Sequence, residues 1–339
     1  MSLFLSLFLI ITLSFCFSVL IVFLYSRLAN RLTILTSDTS VGVKREKVPT
    51  SGGISFGFLY CLIYIFINQY FPIHDSYTYS VLIGCTLMIL IGFIDDIYGL
   101  SSFLRLAVQF FFILLVSYIF NIFDLINESQ IYINLFFFLL FLLACVWIIN
   151  TFNFIDGADG LLSLNCAIFC LVLGTYCFLS FEINMAIYLW VLGAINLGFL
   201  VFNWAPAKLF MGDSGSLFLG SIFIIFMIGS ILHNQISVWI WLILLSLFYV
   251  ETTVTLLVRI WKKDKILREK HVLHAYQRLV LKTGDHSKPA KISLFIQIIW
   301  IIPLSYLCFM FPEIGMYLTF LAILPLALLF FYFGPYQLK

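Results

Sequence analysis

The chain has 339 residues, 63% of them hydrophobic and 10% charged, with a net charge of +2 and a mean hydropathy of +1.12. These values lie far from those of soluble globular domains and exclude a water-soluble enzyme or a nucleic-acid-binding module. They describe an all-α, polytopic integral membrane protein, in which the few charged residues carry most of the information.

About 20 apolar residues span a bilayer. Eleven such windows occur in chain order, at 3–25, 52–70, 79–94, 103–121, 132–149, 161–181, 186–203, 216–233, 238–260, 293–311 and 315–333. The first is too long for a signal peptide, has no Lys or Arg before it, and is followed by Arg27 and Arg31; it reads as a helix entering with its N-terminus outside. The third is short for a span. Eight cysteines, all inside apolar segments and without a C-x-x-C pair, read as small packing residues rather than disulfides or zinc ligands.

Threading eleven helices from an outside N-terminus puts the connections 26–51, 95–102, 150–160, 204–215 and 261–292 on one face, together with the C-terminus. All 18 Lys and Arg lie on or beside that face. The opposite connections carry only acids and neutral polar residues. By the positive-inside rule the basic face is cytoplasmic. No internal repeat, low-complexity tract or separate soluble domain is present, so residues 1–339 read as one transmembrane domain with its active site at the cytoplasmic face.

Five of the 16 acids decide the functional reading. Asp95 and Asp96 close the third span in "GFIDDIYGL"; Asp156 and Asp159 lie in "NTFNFIDGADG", with Asn150 and Asn153; Asp213 lies in "FMGDSGS". A carboxylate at membrane depth costs roughly 2.5–3.5 kcal/mol on insertion scales, so it is retained with partners or a role. A lone "DG" is usually a polar helix cap. Three clusters in three connections of one face instead predict a shared site, whose repulsion a cation must offset. Hard oxygen ligands suit Mg²⁺ or Mn²⁺, not zinc. Glycines in "DGADG" and "GDSGS" let backbone N–H groups approach an anion, and the helices that follow have N-termini that attract phosphate. A metal with a diphosphate fits this set.

Two further cytoplasmic elements are basic. Lys44, Arg45 and Lys47 precede a turn at Pro49, Gly52 and Gly53 and could hold a lipid phosphate. In "HVLHAYQRL", His271 and His274 stand at i, i+3, with Arg278 one turn further. Such a row is either a surface feature or, beside an acidic metal site, a clamp on nucleotide phosphate. Glu251, inside the ninth span, is either functional or a partner of Arg259 two turns on.

The stretches "PTSGG" (49–53), "DDIYGL" (95–100), "NTFNFIDGADGL" (150–161), "FMGDSGSLFLG" (210–220) and "HVLHAYQRL" (271–279) resemble, in order, the motifs of the polyprenyl-phosphate N-acetylhexosamine-1-phosphate transferases. The resemblance implies transfer of a sugar phosphate from a UDP-N-acetylhexosamine to undecaprenyl or another polyprenyl phosphate, releasing UMP. It implies Asp213 and Asn153 as Mg²⁺ ligands, Asp95 or Asp96 as base or positioner of the lipid phosphate, and Lys47 as its anchor. Asn150, Asp156 and Asp159 would shape the nucleotide-sugar site, and His271 and His274 would contact the UDP phosphates. "ETTVTLLVRI" followed by "HVLHAYQRL" is most similar to the branch that initiates O-antigen, where Glu251 stands in place of the usual Asp. A longer His-rich signature of the muramyl-pentapeptide translocases is absent. The rival readings fit less well. A CDP-alcohol phosphatidyltransferase expects Ala-Arg after "DG", an intramembrane prenyltransferase shares only the acid clusters, and a transporter favours acids near midplane.

Overall fold

The computed structural model describes residues 3–32, 35–36, 47–125, 131–262 and 274–334. They are organised as helices α1 (Leu3–Arg31), α2 (Gly53–Asn68), α3 (Asp75–Tyr98), α4 (Ser102–Ile119), α5 (Ile131–Ile155), α6 (Leu161–Leu179), α7 (Ile183–Asn203), α8 (Gly212–Leu232), α9 (Val238–Trp261), α10 (Ala275–Thr283), α11 (Lys288–Met310) and α12 (Pro312–Phe333). Ten are long and apolar enough to cross a bilayer, and the 16-residue α2 is a shorter apolar helix. The expected all-α, multi-pass architecture holds, with one exception: Leu35–Thr36 pairs antiparallel with Val48–Pro49. All eight cysteines are free thiols, and all but Cys16 are buried.

Three boundaries differ from the sequence reading in ways that matter for the site. The third span is not short: α3 runs 24 residues, through a π-helical turn at Ser80–Cys85. The polar end of α5 stays helical to Ile155, so Asn150 and Asn153 stand on helix turns three residues apart rather than in a loop. Likewise α8 begins at Gly212, which puts Asp213 in its first turn. Hydropathy windows stop where polarity begins, but the backbone hydrogen bonds of a helix do not.

Helix α8 is the axis of the molecule, buried from Ser214 to Ser230 without interruption, and it packs against α2, α3 and α5. Polar side chains tie the remaining helices together where lipid gives no hydrophobic drive. Ser18 Oγ donates to the Ile195 carbonyl at 2.7 Å, and Asn165 on α6 bonds Ser293 Oγ and Gln297 on α11. The helix ends meet as the threading predicts. Residues 49–53 bond 210–211 on the basic face, while His74 stacks near His233 and Glu182 bonds Gln235 on the other.

Candidate active site at the basic face

Close backbone approach builds the site's floor. A Cβ on Gly53 would fall 2.0 Å from Gly215 N, and one on Gly92 2.4 Å from the Asp213 carbonyl oxygen. Only glycine lets α2 and α3 come this near the start of α8. The segment before α2 then zips onto the segment before α8, with Phe210 N–H donating to Pro49 O, and Gly52 and Gly53 N–H to Phe210 and Met211 O. Lys47, exposed, immediately precedes this strap.

The two acids at the end of α3 divide their work. Asp96 accepts from the backbone N–H of Asp213 at 2.7 Å and of Ser214 at 3.3 Å, and so caps α8 from another helix. The N-terminal donors that the sequence offered to phosphate are therefore engaged by Asp96. Asp95 is buried and accepts from Leu100 N–H at 2.6 Å and Arg105 Nη1 at 3.1 Å. The same Nη1 donates to Asp213 Oδ2 at 3.2 Å. Arg105, counted in the sequence only toward the basic face, is thus the cation that joins two of the predicted acids. Its signal was position: the first turn of α4, ten residues after Asp95.

Asn153 Nδ2 donates to Asp213 Oδ1 at 2.7 Å and to Ser216 Oγ at 3.1 Å, so α5 and α8 share the acid. Asn150 is one turn deeper, paired with Gln109 of α4 through Nδ2 to Oε1 at 2.6 Å. It reaches the cluster through α4 and not directly, and Gln109 is a second partner the motifs did not mark.

The loop after α5 carries the other pair. Asp156 has its pKa pushed well above the ordinary carboxylate value, first by burial and then by the charges of Asp213, Asp96 and Asp159. Asp159 is buried and accepts from Ala207 N–H at 2.9 Å, with His286 Nδ1 3.9 Å from its other oxygen. It fastens three connections of the basic face. His286, to which the sequence gave no role, belongs to this junction.

His274 does not share a helix face with Arg278 as the i, i+3 row implied. It is extended at φ −63°, ψ 143°, and α10 begins after it. Glu251 of α9 fixes this start, accepting from Ala275 N–H and bonding His274 Nδ1, both at 2.8 Å. Glu251 thus has a partner other than Arg259. Arg278 Nη1 donates to the Gly334 carbonyl at the end of α12, away from the acids. Tyr276 Oη donates to the Phe154 carbonyl at 2.6 Å and lies against Gly157, holding α10 on the acidic loop. His271, like Lys44 and Arg45, lies outside the described residues.

Among the described residues no three Asp, Glu, His or Cys side chains converge as a self-sufficient metal site. A hard divalent cation can also be held by one or two carboxylates completed by water and substrate phosphates. Asp95 and Asp213 already converge on one positive atom, the Arg105 Nη1, and burial with the neighbouring acids raises the Asp156 pKa. The residues fit a hard divalent cation held with a substrate's help.

A family model described as glycosyl transferase family 4 matches residues 78–231, which includes Asp95, Asp96, Asp156, Asp159 and Asp213. The phospho-N-acetylmuramoyl-pentapeptide-transferase of Streptococcus thermophilus (strain CNRZ 1066) is 30% identical over 242 residues, covering 66% of this chain and 69% of that protein. The chain belongs to glycosyl transferase family 4. Proteins of the same description from Prochlorococcus marinus and Streptococcus pneumoniae D39 are 29% and 30% identical over 218 and 221 residues. The alignments cover 58% and 60% of this family 4 chain, and it spans 60% and 65% of those relatives' length.

Proposed function

We propose that residues 1–339 form one transferase domain that moves an N-acetylhexosamine-1-phosphate from a UDP-sugar to a polyprenyl phosphate such as undecaprenyl phosphate. UMP is released and assembly of a surface glycan such as O-antigen begins. The observation that carries this is the junction of Asp95, Asp213 and Asn153 around Arg105, at the lipid–water boundary of a family 4 chain. A prenyl tail can remain in the bilayer while its phosphate enters this junction. The basic face is placed in the cytoplasm of the bacterial inner membrane, with the N-terminus outside.

In the reaction, an acceptor phosphate oxygen attacks the phosphorus that bears the sugar. One P–O bond forms as the phosphoanhydride breaks, and the electron pair leaves on UMP. Two anions must meet, so neutralisation and alignment are the main catalytic needs. A bound Mg²⁺ or Mn²⁺ supplies that neutralisation to the diphosphate. Asp213 and Asn153 would hold it, with Asp156 beside them. Arg105 orients Asp95 and Asp213 and adds positive charge. Lys47 would anchor the acceptor phosphate, Asp95 would position it or hold its proton, and His274 would meet the donor phosphates from the edge of α10.

The donor proposed is a simple UDP-N-acetylhexosamine, either GlcNAc or a 6-deoxy sugar. The support is the "HVLHAYQRL" stretch, which lacks the longer His-rich signature. Membranes containing the protein, given undecaprenyl phosphate and a panel of UDP-N-acetylhexosamines with Mg²⁺ or EDTA, should release UMP from one donor only when Mg²⁺ is present. UMP release should disappear in Asp213→Ala. Folded protein that releases no UMP from any donor would return the weight to a prenyl or phosphatidyl transferase, or to a transporter.

A further inference from the structure

A cavity of about 770 Å³ lies between α9, α10, α11 and α12 and reaches inward to Ile155 and Leu161, at the two ends of the acidic loop. Its walls are apolar, with Leu247, Phe248, Leu279, Ile296 and Phe330 among them. It opens past Leu281, Ile292 and Phe333, each close to half exposed or more. Ile292 and Phe333 stand on helices long and apolar enough to cross the bilayer, so on their side the cavity opens toward hydrocarbon. Its outer edge is basic: Arg278 and Lys282 line it, and Lys288 and Lys291 follow at the start of α11 beside Asp285, while the one acid in the wall, the buried Glu251, is bonded to His274 and the Ala275 N–H. Hydrogen bonds from Ser287, with the nearby Lys291 and Lys288, hold the Asp285 carboxyl below its usual pKa.

We infer that this cavity is a binding site for an acidic glycerophospholipid, one acyl chain between α9, α11 and α12 and the phosphate at Lys282 and Arg278. An apolar slot open to lipid must be filled by something of hydrocarbon chemistry, since an empty one forfeits dispersion contacts. Cations at the interface select an anionic headgroup. Arg278 is suited to this role, because the Gly334 carbonyl holds one edge of its guanidinium in place while the group still lines the cavity. Bound lipid would brace α10, which holds the acidic loop through Tyr276, itself part of the cavity wall.

The test uses the full-length protein in detergent and reads binding rather than turnover, so it stands apart from the proposed transfer reaction. Phosphatidylglycerol titrated into wild type should bind saturably and raise the unfolding temperature, whereas phosphatidylcholine should do neither. Lys282→Gln, at an exposed side chain, should weaken phosphatidylglycerol about fivefold, the loss expected for one interfacial cation. Leu279→Trp, which fills the slot, should abolish binding. Equal binding of the two phospholipids, or unchanged affinity in both variants, would overturn the inference. So would displacement of phosphatidylglycerol from wild type by equimolar undecaprenyl phosphate, which would assign the slot to the acceptor.

Discussion

Arg105→Gln removes the one guanidinium that bonds both Asp95 and Asp213, and its cost can be worked from exposure. The Asp95 side chain is 5% exposed, Asp213 29% and Arg105 34%. A charge-assisted hydrogen bond to a shielded acid contributes about 1.5–3 kcal/mol, and a screened pair such as the Asp213 arm about 0–1 kcal/mol. With the guanidinium itself a third open to water, the low end applies, about 2 kcal/mol in all. For a chain of this size that lowers the unfolding temperature by roughly 3–6 °C. A divalent cation on the same carboxylates would take over the neutralisation, so the deficit should shrink by at least half in saturating Mg²⁺. The variant should also show the larger Mg²⁺-induced stabilisation, since its acids have lost their competing partner. Unfolding of wild type and variant in detergent, with EDTA and with Mg²⁺, measures all four values. An identical deficit in both conditions would refute the idea that Arg105 and the cation serve the same acids.

Gly53→Ala and Gly92→Ala each place a methyl within 2.0–2.4 Å of α8 backbone, where overpacking costs about 1–3 kcal/mol or more; both should lose folded yield and activity, read by size-exclusion profile and UMP release. Asp156→Asn bears on pH. A carboxyl whose folded pKa is raised favours the fold when protonated, so metal-free wild type should be most stable below the ordinary carboxylate value. It should lose that contribution as pH rises through the raised value. The Asn variant should lack this decline and be the more stable at neutral pH, and parallel unfolding-temperature profiles with EDTA would sink the argument. Glu251→Gln removes a charge-assisted bond to His274 and weakens the cap on α10, for about 1–2 kcal/mol; hydrogen exchange over Ala275–Thr283 should accelerate selectively.

The sequence made the helix count and the parity of the connections legible because both rest on composition: apolar length and the side on which cations fall. It also placed Asp213, Asn153 and Asp95 in one neighbourhood, since three acid-bearing connections share a face. What it could not show was the division of labour among those acids. Asp95 and Asp96 are adjacent letters in the same motif, yet one turns to Arg105 and the other to the α8 backbone, a difference set by the rotation of α3 against α8 across Gly92. The link from Asp159 to Ala207 and His286 joins residues 48 and 127 positions away and leaves no local pattern. Glu251 was ambiguous for a similar reason: the candidate Arg259 at i+8 lies on its own helix and was visible, whereas His274 is brought to it by a turn of chain.

That division has a consequence for mutagenesis. Asp96 accepts from two backbone N–H groups and Asp159 from one, with His286 nearby, so these acids are engaged by the fold and hold connections together. Asp213 meets one amide and one half-open guanidinium, and Asp156 is raised in pKa by its acidic neighbours. Those two carry the charge the protein leaves unbalanced, which is where a cation and a diphosphate would gain most. Asp96→Ala strips the cap from a buried helix start, at about 1–2 kcal/mol, and unfastens α3 from α8. Asp159→Ala leaves Ala207 N–H unmatched in a buried place, at about 1–3 kcal/mol. Both should lower the unfolding temperature whether or not Mg²⁺ is present. Asp213→Ala should leave the metal-free unfolding temperature within a few degrees of wild type but remove the Mg²⁺-dependent shift together with UMP release. If Asp96→Ala instead kept wild-type stability and lost only the Mg²⁺ response, the assignment of Asp96 to the scaffold and Asp213 to the cation would have to be reversed.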